Sequence, residues 1–557
     1  MAVAVAALLG CVAMNAQTDA ETRHHVLMIV VDDLRPVGKL FGEPEVHAPN
    51  LDRLAARSTI FTNAFTQSPT CGVSRSSFLT GRRPDTTYVL SNSGCPFTSA
   101  PAHSTWQSLP QYFRGAGYRT AGHGKIFHPN VCEGAAVGEQ AAAWSSGYYH
   151  APCIGGGSIY AGGCSDPAAA KTNPPPYYRP CVPPCIVTSA YANLTATDDD
   201  MPDGMIAREA VLTIQRLAAA DPSPFFVAVG FHKPHLPHIA PKRYFDLYPI
   251  ENVSVPPSPR APNGAPAFAW NKCGEWEAYP DVKNATSVMG FSRGQPVDEA
   301  YARQQRRAYF AAASFSDAQV GRVLDAVGEA GLSDRTVVVL LGDHGWHLGD
   351  NNEWGKHTAM TRANRAPLLF AAPGGRPGVR RGFAELVDIF ATLADLAGIA
   401  VPPRCATEEQ SQSLAVCTEG ASLKPLIMPP AAVGGDGDVS EKTAAFGQWS
   451  LGGHMGYNLY STLDDGSEIR YTEWTRYSVT SHGPVVCPSR PHASPPCWSQ
   501  IAGRELYNRS ADPEESEDIA ERNADLVVRL SERLRAGWRA IAPPSRATPA
   551  GLSNTAA

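Results

Sequence analysis

Three apolar runs constrain this chain more than any other feature. Residues 25–31 read HVLMIVV, residues 225–230 read FFVAVG and residues 336–341 read TVVVLL. None shows the polar alternation of a half-exposed strand, so each reads as a strand buried on both faces. Each is also followed by polar residues: Asp32-Asp33 after the first, FHKPH after the second, GDHGW after the third. Such strands lie side by side in an open, mostly parallel sheet, and ligands bind beyond their carboxyl ends. Helical segments near 50–57, 105–116, 204–219, 299–329 and 385–397 fit the crossovers between them. The fold class is therefore α/β.

With 557 residues the chain buries a large core, and its composition divides it into one large and one small part. The catalytic-sized domain spans 23–430. Inside it, 132–200 is rich in Cys, Pro, Gly and Tyr (NPPPYYRPCVPPC) and reads as an excursion from the sheet, stapled by disulfides. The run MPPAAVGGDGD is a linker, and 440–542 forms a smaller α+β subdomain with a strand over Ile469–Trp474 and an amphipathic helix over Asp525–Trp538. The tail 543–557 has nothing to fold around and reads as disordered.

The first 16 residues, MAVAVAALLGCVAMNA, are apolar and end in small side chains, as in a secretory signal peptide; the run is short for a bilayer span. No later segment is a membrane candidate. Of 13 cysteines, setting aside Cys11 and Cys71 leaves an odd number, and none shows zinc spacing. Cys405/Cys417 and Cys487/Cys497 are near enough for local bridges. Sequons at Asn193, Asn252, Asn284 and Asn508 fit an oxidising, glycosylating compartment, so the expected location is secreted or a lysosomal or endomembrane lumen. A net charge of −6 with 18 % charged residues gives no polycationic surface for nucleic acid.

The window CGVSRSSFLTGRRPDTT (71–87) places Cys71 where a short helix begins, with Ser74 and Arg75 behind it and Gly81 as a stop. A nucleophile there lies beside unpaired backbone N–H groups, which suits an anionic substrate. Asp32-Asp33 or Asp343-His344 alone reads as a turn or cap. Their common position at strand ends brings carboxylates together, which requires a cation among them, and hard oxygen donors favour calcium or magnesium. Lys125 and His128 (GHGKIFHPN), His232 (FHKPHLPH) and Lys356 (NNEWGKH) each read, in isolation, as solvated or structural.

Together these motifs resemble the type I sulfatases, whose signature Cys-x-Pro-Ser-Arg precedes a Ser/Thr-Gly-Arg element, here Thr80-Gly81-Arg82. FLTGRRPDTT, GK-x-x-H, FHKPH, GDHGW with His344, and NEW-x-K look like the iduronate-2-sulfatase branch. GRELYNRSADPEE (503–515) resembles a C-terminal element of the family, so the likeness spans roughly 25–540. The resemblance implies an alkaline-phosphatase-like α/β/α sandwich. It implies Cys71 oxidised to formylglycine by a formylglycine-generating enzyme, and one calcium ion on Asp32, Asp33, Asp343, His344 and the modified Cys71. It further implies Arg75 and Lys125 on the aldehyde hydrate and sulfate oxygens, His232 as proton donor to the leaving group with Lys356 as alternative, and His128 as base for the second hydroxyl. The implied substrate is a sulfated oligosaccharide or polysaccharide, through the 2-O-sulfate of a uronic acid. Val73 stands where the signature has Pro. If Cys71 stays a thiol, the chain is instead a non-catalytic glycan-binding homologue; a second metal site would make it a phosphodiesterase or phosphonate hydrolase.

Overall fold

The first apolar run is strand β1 (His25–Val31), fifth of eight strands in the main sheet. Leu27, Ile29 and Val31 enter one apolar cluster and Val26, Met28 and Val30 another, all at most 1 % exposed. A strand with no polar face must be covered on both sides, and it is. The computed structural model describes residues 23–99, 101–129, 132, 142–145, 147–151, 190–220, 223–272, 274–429, 439–479, 485–486 and 498–546. The expected signal peptide, most of the 132–200 excursion, most of the linker, Cys487, Cys497 and the end of the tail lie outside the described residues.

The other strands are β2 (Thr59–Phe65), β3 (Arg119–Gly124), β4 (Tyr148–Tyr149), β5 (Phe225–Phe231), β6 (Thr336–Gly342), β7 (Leu368–Ala371) and β8 (Gly378–Glu385). The order is β8-β2-β7-β6-β1-β5-β3-β4, and every pairing is parallel except the two made by β7. The three runs singled out in the sequence are therefore adjacent, as β6-β1-β5, and their polar sequels share one edge. Helices α1 (Cys71–Thr80), α2 (Leu109–Gly115) and α5 (Ile389–Leu396) cover one face; α3 (Pro202–Ala219) and α4 (Glu299–Glu329) cover the other. This is the expected α/β/α sandwich.

At the described end of the 132–200 excursion, Tyr191–Leu194 pairs in parallel with His238–Pro241, apart from the main sheet; Ala190 N–H is fixed by Asp281 and its carbonyl by His238 N–H. Cys132 is bridged to Cys95, and Cys405 to Cys417 as its spacing suggested. Among the described cysteines Cys71 alone is outside a disulfide. No helix of the described residues is long and apolar enough to cross a membrane.

The C-terminal part is a four-stranded antiparallel sheet, β9 (Ala444–Leu451), β10 (His454–Thr462), β11 (Glu468–Arg476) and β12 (Ile501–Asn508), with α6 (Ala524–Ala536) packed on it through Leu530 and Leu534. It braces the loop that follows Lys356. Asn458 donates to Ala359 O at 2.8 Å, and Glu515, in the ADPEE sequence, accepts from Thr361 N–H (3.0 Å) and its hydroxyl (2.6 Å).

Candidate active site

The site lies beyond the carboxyl ends of β1, β5 and β6. After β1 the chain turns sharply, with Asp33 at φ 58°, a left-handed conformation that Asp tolerates better than branched residues. Tyr309 of α4 holds that turn by donating to Asp33 O at 2.8 Å, while Asp33 N–H donates to Asp343 Oδ1 at 3.0 Å. The loops after β1 and β6 are thereby tied together. Cys71 is the first residue of α1, and Gly81 ends that helix at φ 67°. Ser74, one turn on, bonds the carbonyl of Asp343 at 2.5 Å.

The sequence-predicted residues converge. Cys71 Sγ lies 3.1 Å from Lys356 Nζ, 3.3 Å from His344 Nε2 and 3.7 Å from Asp33 Oδ1. Lys356 also donates to Asp33 Oδ1 at 2.7 Å. Arg75 bridges Asp343 Oδ2 (3.0 Å) and Asp32 Oδ1 (3.2 Å), and Lys125 reaches Asp32 Oδ2 at 2.5 Å. Arg75 further donates to the carbonyls of Lys125 and Ile126. The sequence reading put Arg75 and Lys125 on substrate oxygens; these bonds are to the carboxylates and backbone that ring the centre. His128 and His232 stand nearer solvent, with His232 8 % exposed.

Electrostatics separate the two neighbouring aspartates. Burial would raise Asp32, but Lys125, with His235 and Arg75, outweighs it and holds the carboxyl well below the usual range. Asp33 is pushed up to about 7, by burial first and then by Asp32 against the pull of Lys356. Burial drives the Cys71 thiol well above its ordinary value. It also pushes His128 down to about 2, assisted by Lys125 and Arg75, so this imidazole is neutral.

These residues fit a bound cation. Asp33 Oδ2 is buried with no hydrogen-bond partner among the described residues. His344 Nδ1 lies 2.9 Å from Gly345 O, which only accepts, so Nδ1 carries a proton and Nε2 is turned to Asp33 Oδ1 (3.3 Å) and Asp343 Oδ1 (3.7 Å). Carboxylate oxygens gathered this closely repel unless positive charge lies among them. Asp32, Cys71, Asp343 and His344 offer ligand atoms within 4.8 Å of one another, as do Asp32, Asp33, Cys71 and His235.

Comparison with known proteins gives this geometry a lineage. The family model described as Sulfatase matches residues 24–399. The chain is 34 % identical over 449 residues to iduronate 2-sulfatase of Homo sapiens, covering 74 % of this chain and 76 % of that protein. The chain belongs to the sulfatase family. As such it is a sulfuric ester hydrolase. Solved structures share the fold of this sulfatase. One, in complex with its substrate D-glucosamine-2-N,6-O-disulfate, aligns at TM-score 0.61 and 18 % identity, over 93 % of this chain and 98 % of that one. Phosphonate monoester hydrolase from Silicibacter pomeroyi aligns at TM-score 0.61 and 20 % identity, over 92 % and 95 %.

Three residues of the sulfatase site were not found by sequence reasoning. Asp203, at the start of α3, accepts from His232 N–H (2.9 Å), Lys233 N–H (2.8 Å) and His232 Nδ1 (3.1 Å). His235 Nε2 lies 3.0 Å from Glu275 Oε1, and Glu275 Oε2 lies 3.4 Å from Lys356 Nζ. His235 was visible in FHKPH, beside the chosen His232. Asp203 and Glu275 sit in MPDG and GEWEAY, where neighbouring acids give nothing to single them out.

Proposed function

We propose that this sulfatase cleaves sulfate esters of a sulfated glycan, acting on the 2-O-sulfate of a uronic acid, with formylglycine at position 71 and one calcium ion. The observation that carries the reading is the convergence of Lys356, His344 and Asp33 on Cys71 Sγ at the start of α1. A thiol held neutral by burial is a poor nucleophile as it stands, which favours a modified residue there. The substrate class is drawn from the likeness to iduronate 2-sulfatase.

Asp32, Asp33, Asp343 and His344 would hold the metal with residue 71, and a calcium ion there would supply positive charge to the ester oxygens. A hydrated aldehyde at 71 would supply the nucleophilic oxygen together with a second hydroxyl on the same carbon. The chain's own groups do the rest. Arg75 and Lys125 fix the carboxylates, and Lys356, held protonated chiefly by Asp33 despite its burial, adds charge at residue 71. His232 keeps one proton on Nδ1 toward Asp203 and so turns Nε2 to the leaving oxygen. His128, neutral, is the base on the residue-71 side. A formylglycine-generating enzyme would act before folding, and secretion or delivery to a lysosome-like lumen fits the apolar leader and the sequons.

Two measurements test the reading. Mass spectrometry of the Ser58–Arg75 peptide from protein made in its native host should show the aldehyde; only unmodified Cys71 would favour a glycan-binding homologue. Disaccharides sulfated at single known positions should show release confined to the 2-O-sulfated uronic acid, and preference for another position would replace that substrate.

A further inference from the structure

A sulfate ester is an anion, yet the outermost member of the charged cluster is itself an acid. The Glu275 side chain keeps 25 % of its area in solvent, whereas those of Lys356, Asp33 and His344 keep none. It is held there firmly: Trp276 stacks on Trp354 at 5.1 Å and 18°, and the adjoining Asn271 N–H donates to Glu353 at 2.9 Å. Both anchor points belong to the loop that carries Lys356. Burial would raise Glu275, but Lys356 and then His235 hold it well below the ordinary range, so it is ionised.

Arg75, Lys125 and Lys356 face Asp32, Asp33 and Asp343, and Glu275 adds a fourth carboxylate, held between Lys356 and His235. A carboxylate beside the residue-71 cluster opposes a doubly charged ester more than a singly charged one. A phosphate monoester above the second pKa of phosphate, about 6, carries two negative charges on nearly the same shape. We propose that Glu275 is the specificity-determining residue that makes the site select monoanionic sulfate esters over dianionic phosphate esters. The inference rests on the sulfatase reading of the site and adds to it a residue whose work is exclusion. Removing the carboxylate relieves repulsion of the second charge, which at an effective dielectric near 20 is worth roughly tenfold or more in affinity.

The test uses matched probes, 4-nitrophenyl sulfate and 4-nitrophenyl phosphate, at a pH where the phosphate is dianionic. Calorimetric affinities are measured on calcium-loaded Cys71→Ala protein, which does not turn over, with and without Glu275→Gln and Glu275→Asp. The expected result is that Glu275→Gln shifts the affinity ratio about tenfold toward the phosphate, while Glu275→Asp, which keeps the charge, leaves it near the parent value. Equal weakening of both probes by Glu275→Gln would mean that the residue only props Lys356. An equal shift by Glu275→Asp would mean that shape, not charge, sets the ratio. Either result overturns the proposal. Hydrolysis of the sulfate probe by the unmutated enzyme is scored separately, so a failure of the sulfatase reading is not confused with a failure of this one.

Discussion

Two buried ionic clusters in this molecule look alike in composition and differ in how their charges are met. At the seam with the small C-terminal sheet, Arg83 grips Glu385 with two bonds (2.7 and 2.9 Å), and Lys442 joins Glu385 (2.7 Å) to both oxygens of Asp388 (2.8 and 2.9 Å). Backbone N–H groups of Phe446, Ala421 and Glu385 complete the set, so each carboxylate oxygen there has a donor. Burial would raise Glu385, yet Arg83 and Lys442 hold its carboxyl down at about 2. In the active site Asp33 is driven the other way, up to about 7, and one of its oxygens is left without a donor. A cluster whose carboxylate oxygens all have donors fastens two parts of a fold; one in which several carboxylates crowd around an oxygen without a donor has room for a ligand that completes it.

Substitutions break the two clusters in opposite ways. Asp33→Asn should lower turnover of a sulfate ester by about a thousandfold or more, while the melting temperature of the chelated protein falls less than in the seam variant Lys442→Met, because Lys356 keeps Glu275 as a partner and the repulsion from Asp32 is relieved. A variant that unfolds instead would erase the contrast. Lys442→Met should cost about 3–5 kcal/mol of stability by stranding two buried carboxylates, read as a drop in denaturant midpoint, with turnover at low temperature within about twofold of the parent.

Acid titration sharpens the same contrast. Glu385 has a folded pKa below its unfolded value, so its stabilisation is present above about pH 4.5 and is lost as pH falls toward 2. The contribution is of order 3 kcal/mol. The stability of Glu385→Gln should therefore fall less steeply across that window, and an unchanged slope would place the acid sensitivity elsewhere. Asp203 is the satisfied carboxylate inside the active site, with three donors on it. Asp203→Asn should lower kcat about tenfold and move the pH profile of kcat, with KM little changed; loss of stability alone, with the profile intact, would make it purely structural.

The sequence was informative where function depends on regular structure. The runs at 25–31, 225–230 and 336–341 have no polar face, so they read as buried strands of one sheet with their polar sequels at a common edge, and the family resemblance then picked out Asp32, Asp33, Asp343 and His344 there. Cys71 at a helix start followed from local helix signals and Gly81. What stayed hidden depends on long-range packing. Glu275 reaches Lys356 because Trp276 stacks on Trp354, a contact 78 residues apart in number between two irregular segments. Arg75 and Lys125 carry charge that suits sulfate, and only their distances show that they also pair with Asp32 and Asp343. The brace that Asn458 and Glu515 give to the loop after Lys356 likewise has no local signal in either strand or loop.

The most direct test of the unsatisfied cluster is calorimetric titration of the chelated protein with calcium. The expected result is one ion per chain, with binding lost in Asp33→Asn and in Asp343→Asn and retained in Lys442→Met where that variant is folded. Absence of calcium binding to the parent, or binding that survives both aspartate substitutions, would contradict the assignment of these carboxylates to a metal.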